Sequence, residues 1–286
     1  MSVRVRGILM LLVVTMIWGS GFIATDRAIA SEIPVMWIMA IRFLTGALLI
    51  GICFFRHLRS LSGGEVFRGG CAGLILLASF YTQTSGQAGT TVSNAAFLTA
   101  TNVVMIPFLL WAFTGKKPKG RVFRLSLMTM AGVALLSMDD GFRLSLGRGD
   151  LTVLLCALLF ALHIVWLGII CGQDDPVQIA FIQLLTAGVC ALIMALLFRI
   201  PLGEPQLQKG LLPVLYLGVF STGIYYLLQT AAQKNVPAAE AGIVLSAEGA
   251  FGALFSVLLG LEAFRWPMLA GGALITASVI LSEKGE

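Results

Sequence analysis

A carboxyl group, a guanidinium and an imidazole lie inside long apolar runs of this chain, where polar groups are costly and mark a cavity or a partner. Glu248 is about ten residues into its run, near the middle of a bilayer. A carboxyl group that gains and loses a proton there suits proton coupling. Arg42, about eight residues into another run, reads as a contact for a substrate carboxylate or as a gate. It reads equally as a cation held by a neighbouring helix, and an ion pair between Arg42 and Glu248 is as simple an account of the carboxyl group as proton coupling. His163 is mid-run with Trp166 three positions on, hence on the same helix face; it is either hydrogen-bonded packing or a proton carrier. Trp18 and Trp166 lie deep in their runs, away from the interfacial aromatic belt, which suits a ring-lined cavity.

The other candidates fall in two matching stretches. QTSGQAGTTVSNAAFLTATN runs from Gln83 to Asn102, and QTAAQKNVPAAEAGIVLSAE begins 146 positions later, from Gln229 to Glu248. Without a gap, Gln83 falls on Gln229, Thr84 on Thr230 and Gln87 on Gln233. The first copy, with Tyr81 just ahead of it, offers Gln83, Asn94 and Asn102 to a cavity. The second, with Tyr226 just ahead, offers Gln229, Ser246 and Glu248. Other chemistries fit poorly. Gly19-Ser20-Gly21-Phe22-Ile23-Ala24 fits a dinucleotide fingerprint only on paper, because that pattern needs a strand before it and here it lies inside an apolar span. No phosphate-binding GxxxxGK[ST] loop, HExxH or clustered Cys/His spacing occurs, so no ATP-driven pump, cofactor or metal is expected.

The elements that must position these groups follow from composition. The 286 residues are 58% hydrophobic and 12% charged, with a mean hydropathy of +0.95; soluble domains carry about 25% charged residues. The solvent is therefore lipid. Ten runs can be drawn, at 7–29, 34–55, 68–87, 91–113, 121–138, 150–171, 177–198, 209–232, 238–260 and 266–282. A β-barrel would instead show short alternating segments. The first run is longer than a signal core and is read as a retained span. The net charge of +5 sits on scattered loop residues, which argues against nucleic acid. Five cysteines without a CxxC pair read as buried, inert thiols. No loop is long enough for a soluble domain, so substrate is handled within the membrane, and a monomer is expected.

Loop charges give orientation. Arg4, Arg6, Arg56, Arg59, Arg68, Lys116, Lys117, Lys119, Arg121 and Arg124 flank one side of the first half, against Arg27 on the other. This places both termini in the cytoplasm. In the second half the bias reverses, with Arg143, Arg148, Arg199, Lys209 and Arg265 against Lys234 and Lys284. Two units of five spans each, packed antiparallel, carry that signature. Ile41-Arg42-Phe43-Leu44-Thr45 against Ile182-Gln183-Leu184-Leu185-Thr186 supports it.

With Trp18-Gly19-Ser20-Gly21-Phe22, Arg42-Phe43, Ala95-Ala96-Phe97-Leu98 and the segment AGIVLSAEGAFGALFSVLLGLEAFRWPMLAGGALITASVILSE in this order, the chain resembles the EamA-type permeases of the drug/metabolite transporter superfamily. The resemblance implies an all-α integral membrane protein with ten transmembrane helices in two inverted five-helix repeats, 1–140 and 147–286. It implies a bacterial inner-membrane exporter of amino acids or related metabolites, working by alternating access with spans 5 and 10 as peripheral supports. The aromatic residues make it similar to aromatic amino-acid exporters. Glu248 is followed by Gly249 where the family often has proline, and Leu261 splits Gly260 from Glu262, which reads as structural. The competing readings are an uncoupled facilitator or channel and, more distantly, an intramembrane enzyme acting on lipids.

Overall fold

The computed structural model describes residues 3–90, 92–115, 117–137, 147–258, 260 and 263–283, less the side chains at 22, 92–94, 96, 136, 137, 253, 256 and 283. The expectations placed on Lys116, Arg143, Glu262 and Lys284, and on the side chain of Asn94, lie outside the described residues. Ten helical spans follow one another, with no strand among the described residues. Spans 1 to 3 are Val3–Ala30, Val35–Cys53 and Gly63–Gln87; span 4 consists of Val92–Ala100 and Asn102–Thr114; span 5 is Gly120–Ser137. Spans 6 and 7 are Arg148–Ile170 and Pro176–Leu197, and span 8 runs through Glu204–Gly218, Val219–Ile224 and Tyr225–Gln233. Span 9 consists of Ala238–Leu245 and Glu248–Leu258, and span 10 is Trp266–Glu283. Among the described residues, six helices are long and apolar enough to cross a membrane on their own: Val3–Ala30, Val35–Cys53, Phe97–Thr114, Arg148–Ile170, Pro176–Leu197 and Glu204–Gln233. Side chains such as Leu48, Phe67, Leu197 and Leu212 stay exposed on the outside of the bundle, as lipid contact requires.

Local signals set the starts. The Ser62 hydroxyl accepts from the Glu65 N–H while the Glu65 carboxylate accepts from the Ser62 N–H, so span 3 begins five residues before its apolar run. The Asp175 carboxylate accepts from the Val177 and Gln178 N–H groups, and Pro176 supplies a first helical residue with φ already set.

The packing obeys a two-fold exchange of the halves. Span 8 packs on span 1 as span 3 packs on span 6, span 8 on span 2 as span 3 on span 7, and span 9 on span 1 as span 4 on span 6. Spans 2 and 7 pack on each other, as do 5 and 10. Two glycines make the relation visible atom by atom. A Cβ on Gly73 would strike the Gln183 carbonyl and lie 2.9 Å from Thr186 Cβ; one on Gly218 would lie 3.0 Å from the Arg42 carbonyl and 2.7 Å from Thr45 Cβ. These contacts fall on corresponding positions of the IRFLT and IQLLT stretches. In lipid such small residues allow the close approach that holds helices together. Gly73→Ala is therefore expected to force spans 3 and 7 apart at a backbone contact and to destabilise the fold by about 1–3 kcal/mol, read as a lower melting temperature in detergent.

Three departures from regular helix matter for the site. Span 4 breaks at Thr101 and span 9 at Ser246–Ala247, corresponding places in the two repeats, with Asn102 and Glu248 each opening the second half-helix. Span 8 also carries a π-helical stretch, Val219–Ile224, where span 3 is regular. Gly73 lies seven residues before Phe80, whereas Gly218 lies eight before Tyr226. The π stretch is the place where one extra residue is taken up, and such bulges gather at functional sites.

Candidate functional site

Trp18 stands at the centre of the bundle. Gly19 and Gly21 on either side of Ser20 let span 1 enter between spans 8 and 9: a Cβ on Gly19 would lie 2.8 Å from the Gly252 nitrogen, and one on Gly21 2.8 Å from the Ser221 hydroxyl. The indole packs edge-on against Phe80 and Phe160, with centroids 6.1 and 5.5 Å away, and tilts over Tyr225 at 4.8 Å. Tyr226 continues the cluster, 4.6 Å from Tyr225, 6.2 Å from Phe80 and 5.7 Å from the His163 ring. Phe80 and Tyr226 hold equivalent places in the two repeats and face each other.

Two polar chambers flank Trp18, each with a cavity volume of about 10 Å³, space for about one water. One is lined by Asn102, His163, Tyr226, Gln229, Ser246 and Glu248, the other by Thr25, Arg42, Phe80 and Gln83. Gln83 and Gln229 therefore mark corresponding corners, one chamber holding the guanidinium and the other the carboxyl group. Sites for small solutes run to about 300–1,000 Å³, so this conformation is closed.

Among the described residues, neither charge-bearing group has an ionic partner. Arg42 is 1% exposed and Glu248 4%, yet no ion pair joins either to another group among the described residues, which goes against the ion-pair alternative. The Arg42 Nε–H donates to the Thr222 hydroxyl in the π stretch at 3.1 Å, and its guanidinium lies 4.1 Å above Phe80 and 5.6 Å from Phe43. Ring faces hold a desolvated cation by about 2 kcal/mol, less than a carboxylate would. The Glu248 Oε2 has no hydrogen-bond partner among the described residues. His163 Nε2 meets Gln183 Oε1 at 2.8 Å, so span 7 fixes the imidazole with the residue that corresponds to Arg42.

Two expected cavity residues lie elsewhere. Tyr81 is 40% exposed and lines neither chamber, since its neighbour Phe80 takes the inward position. The Trp166 indole N–H donates to the Arg68 carbonyl at 3.1 Å, and the ring packs with Ala72, Leu167 and Ile179. It belongs to a latch at one end of the bundle. There Arg68 donates to both Asp174 oxygens, at 2.7 and 2.5 Å, and Gln178 donates to the His57 carbonyl and the Ser60 hydroxyl. The opposite end is closed by neutral contacts to backbone: Trp37 to the Ile200 carbonyl at 3.0 Å and Gln206 to the Glu32 carbonyl at 2.9 Å. Each latch joins a loop of one repeat to a loop of the other. Glu240 is spent on Arg4, at 3.0 Å. Phe80, Phe160, Tyr225 and Thr222 were not among the expected site residues. Phe80 was recoverable as the counterpart of Tyr226, and Phe160 as the residue one turn before His163.

Discontinuous helices around a closed polar centre, in two halves related by exchange, are an architecture that many membrane transporters share. The family comparison agrees: residues 5–138 and 147–283 each match the EamA-like transporter family, and the chain belongs to it. It is 29% identical over 271 residues, 95% of this chain and 83% of the relative, to an uncharacterized transporter of Archaeoglobus fulgidus. A protein known from a crystal structure shares the fold with a TM-score of 0.78 at 18% identity, over 98% of this chain and 96% of that one.

Proposed function

We propose that the protein exports zwitterionic amino acids, aromatic ones among them, or closely related small metabolites, and that a proton moves on Glu248 during the cycle. The observation that carries this reading is the placing of two buried, ionically unpartnered groups of opposite type on either side of Trp18. An α-carboxylate would take up the bidentate donors of Arg42, an α-ammonium would face Glu248, and the ring cluster around Trp18 would cover an apolar side chain. Proton and ammonium would then compete for one carboxyl group, which couples them. Cytoplasmic termini and a bacterial inner membrane complete the proposal, on the loop charges set out above.

Purified protein in proteoliposomes tests it with labelled phenylalanine, a nucleoside and a cationic drug, with and without a pH gradient. Gradient-stimulated movement of the amino acid, inhibited by other zwitterions and not by the cation, is the expected result. Transport of the cation alone, or amino-acid flux indifferent to the gradient, would sink the reading and favour an uncoupled facilitator.

A further inference from the structure

The two repeats carry the same polar triplet at the end of corresponding spans, Gln83-Thr84 with Gln87 in span 3 and Gln229-Thr230 with Gln233 in span 8. Identical residues are in opposite states. In span 8, Gln229 donates to Gln233 Oε1 at 3.0 Å, Gln233 donates to the Ile164 carbonyl at 2.9 Å, and the Thr230 hydroxyl donates to the Tyr226 carbonyl at 2.7 Å. That file is stitched to span 6 and to its own helix, with Gln229 Oε1 alone in the triplet left over.

In span 3 the corresponding atoms have no partner among the described residues: Gln83 Nε2, Thr84 Oγ1 and both amide atoms of Gln87. All three side chains are at least nine-tenths buried, at 6, 0 and 5% exposure. Gln83 lines the Arg42 chamber, Gln87 is one turn further along the same face, and Ala88 and Gly89 beyond it are exposed. Even Thr84, which could bond its own helix as Thr230 does, leaves its hydroxyl unused. Buried polar groups gathered in this way are satisfied by ordered water.

We propose that Gln83, Thr84 and Gln87 bind a file of water that joins the Arg42 chamber to the membrane face at residues 88–90, and that Gln229, Thr230 and Gln233 form the dry counterpart toward the other face. Water, and with it protons, thus reaches the closed site from one side. The end of span 3 lies on the face of the neutral latch, which the loop charges place outside the cell. This goes beyond the export reading and does not depend on the cargo.

Cysteine accessibility tests it without substrate, so failure here is separable from a failed transport assay. The five native cysteines, of which Cys53 is exposed and Cys71 and Cys190 are partly so, are first replaced. Gln87→Cys and Gln233→Cys are then exposed to a membrane-impermeant methanethiosulfonate in intact cells and in inverted vesicles. Because the reagent needs a hydrated thiolate, Gln87→Cys is expected to react about tenfold faster from the face of residues 88–90 than from the other, with Gln233→Cys slow from both. Equal rates for the two positions, or equal rates from the two faces, would overturn the proposal. Thr84→Cys, nearly isosteric, gives the same reading if Gln87→Cys does not reach the membrane.

Discussion

Arg42→Met is expected to weaken substrate binding roughly 10- to 150-fold while raising the melting temperature of the protein. The two effects separate a binding role from a structural one. Arg42 is buried without a carboxylate, held by one hydroxyl and two ring faces. Burying a charge on such terms is unfavourable, and an apolar chain of similar volume removes the penalty. The same change removes the donors for a substrate carboxylate, a loss of about 1.5–3 kcal/mol in hydrogen bonds to a charged group, or roughly 10- to 150-fold in Kd. Arg42→Lys keeps the charge but not the planar fork, and is expected to fall between the two. Binding measured by scintillation proximity and unfolding followed by tryptophan fluorescence give both readouts. A melting temperature that falls with Arg42→Met would show the guanidinium to be a structural cation.

The second large effect is at Glu248. Glu248→Gln keeps the size and most of the hydrogen-bonding capacity of the side chain but cannot exchange a proton. Coupling free energies between sites run to about 1–3 kcal/mol, roughly 5- to 150-fold, and gradient-driven accumulation is expected to drop by that factor. Exchange of labelled for unlabelled substrate without a gradient should persist at a raised KM, since it needs no net proton movement and the amide oxygen still accepts from the ammonium. Wild-type accumulation by Glu248→Gln would remove the carboxyl group from the coupling step, whereas loss of exchange as well would make it a substrate contact only. Glu248 opens a half-helix and has an oxygen with no partner, so little in the protein opposes the substitution.

Much of the architecture was legible because lipid imposes simple rules. Apolar runs of bilayer length gave ten spans, and an odd number per repeat with reversed loop charge gave the antiparallel relation that Gly73 and Gly218 display in their contacts. The site was legible only where polarity is expensive. Arg42, His163, Gln83, Gln229 and Glu248 announce themselves by lying in apolar runs, and the structure gathers them around Trp18. Aromatic residues give no such signal. Tyr81 and Phe80 differ by about 100° around a helix, and only the Phe80–Tyr226 correspondence says which one faces inward. Trp166 shares a helix face with His163 but lies a turn nearer the end of the bundle, where the Arg68 carbonyl claims its N–H. The break in span 9 follows no proline or glycine signal at Ser246, and the π stretch leaves no mark in composition.

That extra residue in span 8 bears on the resting state. Two identical units packed antiparallel would give a carrier whose states open to either face are superimposable by rotation, hence of equal free energy and equally populated without substrate or gradient. With one extra residue taken up at Val219–Ile224 on one side only, moving the span 8 unit and moving the span 3 unit are different events, and the equilibrium constant between the two open states differs from one. The π stretch touches Arg42 through Thr222, so this asymmetry lies directly against the guanidinium. Such a difference sets which state is more populated at rest and how fast each half-cycle runs, while the gradients alone fix the direction of net transport.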